Sequence, residues 1–291
     1  MTVPLVSVLM TAYNREEYIA EAIESVLAST FKDFELVIVD DCSSDNTVEI
    51  ARRYTSDPRV QLYLNEKNLG DYPNRNRAAS LGRGKYLKYV DADDLIYPHG
   101  LVLMVETMER FPDVALGLSM PQDARRPYPY QLSPKEAYCS HFLNGHHVFS
   151  KSPLTTIIRS DVLRTLGGFV ADEGPRGDYA TWLLIAARYP IVLMPDGIVW
   201  WRAHPKQESR YREKSKAEDI SRQYLLTRAA LDGECCPLPW AEQAAALCRL
   251  ERGHVRSILR LALSGSPAVA WDVFRSSGLS PSSLARAFQG V

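Results

Sequence analysis

An ordered alternation of short apolar runs with segments of helical period constrains this chain most. Val6 to Met10 is an apolar run too short for a buried helix and reads as a buried strand. It closes on Thr11-Ala12-Tyr13-Asn14, after which Ile19, Ala22, Ile23, Val26 and Leu27 recur at helical spacing. Asn14 with Glu17 has the form of a capping box that would start this helix. Phe34 to Val39 is the next strand and closes on Asp40-Asp41; Ser44 is placed to cap a helix carrying Val48, Ala51 and Tyr54. Val60 to Leu64 reads as strand, Pro73 to Leu81 as helix, and Tyr86 to Val90 as a strand closing on Asp91-Ala92-Asp93-Asp94. Pro98 stands near the start of a helix with Leu101, Met104, Val105, Met108 and Phe111 on one side. Such alternation dictates right-handed βαβ units and a mostly parallel central sheet flanked by helices. Sheets of this kind bind ligands beyond the carboxyl ends of their strands. Thr11, Asp41 and Asp91 all fall at such ends.

The pattern then changes. Pro121 to Pro153, with Arg125-Arg126-Pro127-Tyr128-Pro129-Tyr130 and His146-His147, reads as a long, partly irregular connection of the kind that more often serves function than decoration. Thr155 to Ile158 looks like a further strand and Leu166-Gly167-Gly168-Phe169 a tight turn. Asp178 opens an apolar helix through Tyr189, and Ile191 to Met194 and Ile198 to Trp201 read as closing strands. Beyond about Arg210 the pattern is helical to the end.

The 291 residues suffice for one large α/β domain with an appendage or for two modest domains, and a net charge of -1 excludes a polycation that seeks nucleic acid. From Trp200 onward there are 14 Lys/Arg against 9 Asp/Glu, so the first 199 residues hold the acidic excess. Five cysteines without a C-x-x-C pair read as reduced thiols, which points to the cytoplasm. No signal peptide opens the chain and no stretch reaches membrane-spanning length.

Asp91-Ala92-Asp93 is the sharpest chemical feature. Residues two apart in an extended segment point to the same side. Two carboxylates there make a hard-oxygen site for Mn2+ or Mg2+, which in turn binds a diphosphate; the alternative is that Asp93 and Asp94 only start a turn. Asp41 is suited to accept a hydrogen bond from a base N–H, as from a uracil or thymine imide, or else belongs to a turn in Asp41-Cys42-Ser43-Ser44-Asp45. Tyr13 is placed to stack on a base and Thr11 to bond to it. Asp178, at a helix start, is either an N-cap or a general base kept ionised by the helix dipole; Asp172 and Glu173 are nearby rivals. His204 is a candidate to complete the metal site or contact a diphosphate. Gly82-Arg83-Gly84-Lys85 is not a P-loop, and no G-x-G-x-x-G follows a strand; both absences argue against an ATPase and a dinucleotide oxidoreductase.

Taken in order, Val6 to Asn14, Val39 to Asp45, Asn68-Leu69-Gly70 with Arg75-Asn76, Tyr89 to Asp94, Gly167-Gly168-Phe169, Gly177-Asp178 and Arg202-Ala203-His204 resemble glycosyltransferase family 2, inverting enzymes of GT-A fold, the opening block being most similar to its SpsA-type members. The resemblance implies a GT-A catalytic domain over 1–210, with a nucleotide-sugar side over 1–115 and an acceptor side over 116–210, followed by a C-terminal helical region over 211–291. It further implies that Thr11, Ala12, Tyr13 and Asp41 hold the nucleobase, that Arg75, Asp91 and Ala92 lie at the donor, that Asp93 and His204 bind the metal, and that Asp178 is the catalytic base. Two departures stand out: Pro73-Asn74 precede Arg75 where the family commonly has Ala, and Gly177 stands where many relatives have Glu.

The activity these features imply is inverting transfer of a sugar from a nucleotide-diphosphate sugar, a UDP-sugar foremost, to an acceptor hydroxyl in polysaccharide or glycoconjugate biosynthesis. The partners are a nucleotide-sugar donor and a saccharide or lipid-linked acceptor. Two other readings are a sugar-1-phosphate nucleotidyltransferase, for which the glycine-free loop Thr11 to Arg15 is a poor match, and a nucleotide-binding scaffold without activity. Arg252, Arg256 and Arg260 recur every fourth residue in the tail, which reads as a solvated helix face, a dimer contact or a peripheral contact with the inner face of the membrane.

Overall fold

The first two strands set the architecture. In the computed structural model, which describes residues 3–204, 207 and 216–279, β1 (Val6–Ala12) and β2 (Phe34–Asp40) are almost wholly buried on both faces. Their side chains alternate between two cores: Val8, Met10, Leu36 and Ile38 face one, and Leu9, Val37 and Val39 face the other. Each face is covered by helices. On the first lie α1 (Ile19–Leu27), α2 (Thr47–Arg52) and α4 (Gly100–Arg110). On the second lie α3 (Asp71–Leu81), α5 (Pro134–Tyr138) and α7 (Gly177–Arg188). A short helix, α6 (Ser160–Thr165), also contributes Val162 and Leu163 to the second core.

The central sheet has eight strands in the order β3-β2-β1-β4-β8-β6-β9-β7. Besides β1 and β2 it contains β3 (Val60–Leu64), β4 (Tyr86–Tyr89), β6 (Leu116–Met120), β7 (Tyr130–Leu132), β8 (Thr156–Arg159) and β9 (Ile191–Pro195). Strands β1 to β4 run parallel, as the βαβ alternation requires, while β8 pairs antiparallel with both β4 and β6. The expected GT-A type of α/β fold with a C-terminal helical extension is present.

Local differences from the sequence reading have physical causes. Asn14 does not cap α1; it takes a left-handed φ of 52° and its side-chain oxygen accepts from the Ser44 N–H at 2.9 Å. Helix α1 begins later, at Ile19, without a side-chain cap. Ser44 likewise does not cap α2: Asp45 Oδ1 accepts from the Thr47 N–H. The stretch 198–201 does not close the main sheet; β10 (Val199–Trp200) pairs with β5 (Leu95–Ile96) in a separate ribbon. Part of the irregular connection is ordered, because Ser133 and Glu136 form a full capping box at α5 with Pro134 at its first turn.

The tail forms α8 (Lys216–Asp232), α9 (Trp240–Leu263) and α10 (Pro267–Ser276). They share a small core of their own around Tyr224, Val255, Ile258 and Val273. Leu231, Leu238 and Ala246 join the core on the α7 face instead, so this region is packed into the catalytic body. The helical reading at 208–215 and 280–291 lies outside the described residues. Among those described, no helix is long and apolar enough to cross a membrane.

Candidate active site

The carboxyl ends of β1, β2 and β4 lie side by side: the Asp41 N–H donates to Ala12 O at 2.8 Å and the Ala92 N–H to Thr11 O at 3.3 Å. The ladder therefore continues past the strands and brings Thr11, Ala12, Asp41, Asp91 and Ala92 to one edge of the sheet.

Asp91 is gripped by Arg75 from α3. Nη1 and Nη2 donate to its two carboxylate oxygens at 2.7 and 3.0 Å, and Thr11 donates to Oδ1 at 3.3 Å. Burial by itself would raise the Asp91 pKa, but the charge and hydrogen bonds of Arg75 outweigh it and hold the carboxyl below its ordinary range. Arg75 is fixed in turn: Nε donates to Asp71 at 2.7 Å, its carbonyl accepts from Tyr89 at 2.9 Å, and its guanidinium lies 5.6 Å from the Tyr89 ring and 6.0 Å from the Tyr72 ring. The pair is a rigid, bidentate unit at this edge of the sheet.

Asp91 to Asp94 form a tight turn rather than the extended segment expected, the Asp94 N–H donating to Asp91 O at 3.0 Å, and Asp93 has partners of its own. Its Oδ2 accepts from Arg15 Nε at 2.8 Å and lies 2.9 Å from His204 Nε2. His204 is 4% exposed, its ring lies 4.7 Å from that of Tyr18 at a tilt of 41°, and its buried Nδ1 has no hydrogen-bond partner among the described residues. Two residues that the sequence separates by more than a hundred positions thus meet. Asp94 and Arg202 hold the segment bearing His204. The Arg202 N–H donates to Asp94 Oδ1 at 2.9 Å and Arg202 Nε to the Asp93 carbonyl at 3.0 Å. Burial first, then the neighbouring Asp91 charge, push the Asp94 carboxyl up to about 7. Among the described residues no group of three His, Cys, Asp or Glu side chains is placed to hold a metal ion.

Asp41 lies on the same edge, but its hydrogen bonds run to the loop before α3. Oδ1 accepts from Asn65 Nδ2 at 2.6 Å and the Leu69 N–H at 2.8 Å, and Oδ2 from the Gly70 N–H at 2.9 Å. The carboxylate shapes the loop in which Gly70 takes φ 89°. Tyr13 stands 46% exposed at the rim.

Asp178 sits in the first turn of α7, where N–H groups and the helix dipole favour a carboxylate, and its Oδ1 accepts from the Tyr179 N–H at 2.7 Å. Its charge reaches Tyr72 on α3: burial first, then the Asp178 charge, raise the pKa of that phenol. A Cβ on Gly177 would lie 2.9 Å from the Tyr72 ring and 2.7 Å from Val170 O, so the space for a side chain at 177 is filled by Tyr72. Glu173 lies in the 3-10 segment Ala171–Arg176 before α7; the side chain of Asp172 is outside those described.

Sequence reasoning gave no site role to Arg15, Asp71, Asp94 or Arg202. The signal available was position: Arg15 follows the β1 end, Asp94 extends the Asp91-Ala92-Asp93 run, Asp71 stands four residues before Arg75, and Arg202 two before His204.

A model of the glycosyl transferase family 2 matches residues 7–166. An uncharacterised glycosyltransferase of Methanocaldococcus jannaschii is 41% identical over 119 residues, which is 40% of this chain and 41% of that protein. The chain thus spans less than half of that relative's length. S. aureus TarS 1–349, solved in complex with UDP-GlcNAc, superposes with a TM-score of 0.71 at 20% identity, over 93% of this chain and 79% of that one. The mannosyltransferase PcManGT from Pyrobaculum calidifontis, in complex with GDP-Man and Mn2+, gives 0.62 at 19% identity, over 99% and 86%. At these identities the likeness to the solved structures is one of fold.

Proposed function

The chain belongs to glycosyl transferase family 2, and on that premise we propose that it transfers a sugar, with inversion, from a nucleotide-diphosphate sugar to an acceptor hydroxyl. The observation that carries this reading is the convergence of Asp91, clamped by Arg75, with Asp93 and His204 at the carboxyl ends of β1 and β4. We favour a UDP-sugar as donor and a saccharide or lipid-linked acceptor, in polysaccharide or glycoconjugate biosynthesis. Two fold neighbours solved with UDP-GlcNAc and with GDP-Man and Mn2+ support a nucleotide-sugar and a divalent cation.

In this reading Thr11, Ala12, Tyr13 and Asp41 hold the base, with Tyr13 offering an exposed ring for stacking. Arg75, Asp91 and Ala92 line the donor. The Arg75 fork fixes Asp91 so that its outward lone pairs face ribose or sugar hydroxyls without reorganisation. Asp93 and His204 fit a manganese or magnesium ion, because the Nε2 of a buried imidazole lies 2.9 Å from the Asp93 carboxylate, an imidazole and a hard oxygen on one spot. Only two protein donors leave places for diphosphate oxygens and water. When bound, the ion supplies positive charge against the leaving diphosphate. Arg15, 2.8 Å from Asp93, adds a second cation on the same side.

The transfer is a single in-line displacement. The acceptor oxygen bonds to the anomeric carbon as the bond to the diphosphate oxygen breaks, and the acceptor proton passes to Asp178. An α-linked donor gives a β-linked product. Proton NMR of the product from a UDP-α-sugar tests this. A large axial–axial coupling at the anomeric proton of a gluco-configured product is expected, and a small one, showing retained α configuration, contradicts it.

A further inference from the structure

We propose that helix α8 of the C-terminal region is a strut that positions Asp178, with Asp219 and Thr227 as positioning residues for the transfer step. The inference rests on the reading of Asp178 as the base. It assigns a role to a part of the chain that lies beyond the residues matched by the family model, 7–166.

Both flanks of Asp178 are tied to α8. On the amino side Arg176, which precedes the first residue of α7, donates from Nε and Nη2 to the two carboxylate oxygens of Asp219 at 2.9 and 2.6 Å. Their side chains are 20% and 18% exposed, so the pair is largely shielded from water, and its fork geometry fixes direction as well as distance. On the carboxyl side the Tyr179 hydroxyl lies 3.0 Å from Thr227 Oγ1. Asp178 lies between these two anchors.

The second anchor is one step in a relay whose directions can be assigned. The Phe149 N–H donates to His141 Nδ1 at 3.2 Å, so that nitrogen carries no proton and Nε2 carries it. Nε2 then donates to Tyr179 Oη at 3.3 Å. The Thr227 hydroxyl donates to the Gln223 carbonyl at 2.8 Å, which leaves its oxygen to accept from Tyr179. Burial drives the His141 pKa down to about 3, so the ring stays neutral and the polarity of the relay does not reverse at working pH. Tyr179 and His141 are both buried, and every polar atom of the relay named here has a partner.

A helix whose first turn is pinned on both sides presents its carboxylate at one place. Misplacing a base by about 1 Å costs on the order of a hundredfold in rate while leaving binding at a remote site intact. The donor residues lie at the ends of β1, β2 and β4 and on α3, so loss of the strut acts on turnover and spares nucleotide affinity.

The test uses the full chain and whichever of UDP-glucose, UDP-galactose and UDP-N-acetylglucosamine the wild type turns over fastest. Thr227→Val and Asp219→Asn are expected to lower kcat about tenfold or more, with donor KM and the calorimetric Kd for UDP within about twofold of wild type. Asp219→Glu, which keeps the charge, is expected to recover most of the loss, and Asp178→Asn to abolish turnover. Thr227→Val is nearly isosteric and serves if Asp219→Asn does not fold. Wild-type kcat in both variants, beside an inactive Asp178→Asn, overturns the strut and leaves the base in place. Parallel loss of UDP binding overturns the strut as well, because the damage is then general. An active Asp178→Asn overturns the strut together with the reading it rests on.

Discussion

The guanidinium of Arg75 meets the carboxylate of Asp91 edge to edge, with both oxygens engaged at 2.7 and 3.0 Å. Arg75 is the largest influence opposing the desolvation of Asp91, ahead of Thr11 and the Lys88 charge, so its removal leaves a buried carboxylate poorly compensated. Arg75→Ala is expected to lose about 3–5 kcal/mol of stability. Arg75→Lys, which keeps the charge but not the fork, is expected to lose about 1–3 kcal/mol. Urea denaturation at neutral pH measures both, and an unchanged midpoint in Arg75→Ala contradicts the clamp.

Gly177 sets two effects against each other. Its φ is helical at -58°, so alanine would gain about 1 kcal/mol in helix propensity. The new Cβ would lie 2.7 Å from Val170 O, a backbone atom, and 2.9 Å from the Tyr72 ring. Overpacking of that kind costs about 1–3 kcal/mol, and the carbonyl cannot rotate away as a side chain would. Gly177→Ala is therefore expected to destabilise, and Tyr72→Ala added to it to relieve only part of the strain. A raised melting temperature in Gly177→Ala sinks this argument.

Two buried histidines make the fold acid-sensitive. Burial pushes His141 down to about 3 and His254 to about 4, the latter stacked on Tyr224 at 4.1 Å. In the unfolded chain both titrate near 6.5. Between about pH 6.5 and 4 the unfolded state binds protons that the folded state refuses, so stability is full above 6.5 and falls as pH drops, by about 1.4 kcal/mol per pH unit for each ring. Asp94, whose carboxyl is pushed up to about 7, takes up a proton in the folded state over the same range and offsets one ring, so denaturation midpoints from pH 4.5 to 7.5 are expected to fall with acid by less than the two rings alone require, and His254→Gln to shallow the slope by about 1.4 kcal/mol per pH unit. An unchanged slope in that variant assigns the acid sensitivity elsewhere.

With only Asp93 and His204 facing each other and no third ligand among the described residues, a divalent ion needs diphosphate oxygens to complete its shell. Manganese alone is expected to bind weakly, and at least tenfold more tightly once UDP is present, as linkage then requires of UDP in return. Paramagnetic relaxation of water protons during a manganese titration, with and without UDP, reads the difference. Tight binding without nucleotide contradicts it.

The parallel half of the sheet was legible because its strands are uninterrupted apolar runs and each closes on polar residues. The two-sided burial of β1 and β2 is what such runs mean. The strands β6 and β7 were missed for opposite reasons. Leu116–Met120 contains Gly117, whose absent Cβ leaves room for Met194 and Ile157, so the run lacks the β-branched signature. Tyr130–Leu132 is three residues long and lies among prolines. In the candidate site, the residues that motif order singles out were named, whereas their partners were not. Arg15, Asp71 and Arg202 act through distances of 2.7 to 3.0 Å that only folding creates. Asn14 shows the same limit: its capping chemistry was recognised, but the turn at Ser43 and Ser44, 30 residues away, competes for it and wins.

The central claim is a nucleotide-diphosphate site assembled around Asp93. Calorimetric titration of UDP, dTDP and GDP, each with and without manganese, into the wild type and Asp93→Ala tests it most directly. The expected result is binding of one nucleotide, UDP, that weakens at least tenfold when either manganese or the Asp93 carboxylate is removed. Failure of all three nucleotides to bind, or binding of UDP that is indifferent to both manganese and Asp93→Ala, contradicts the account.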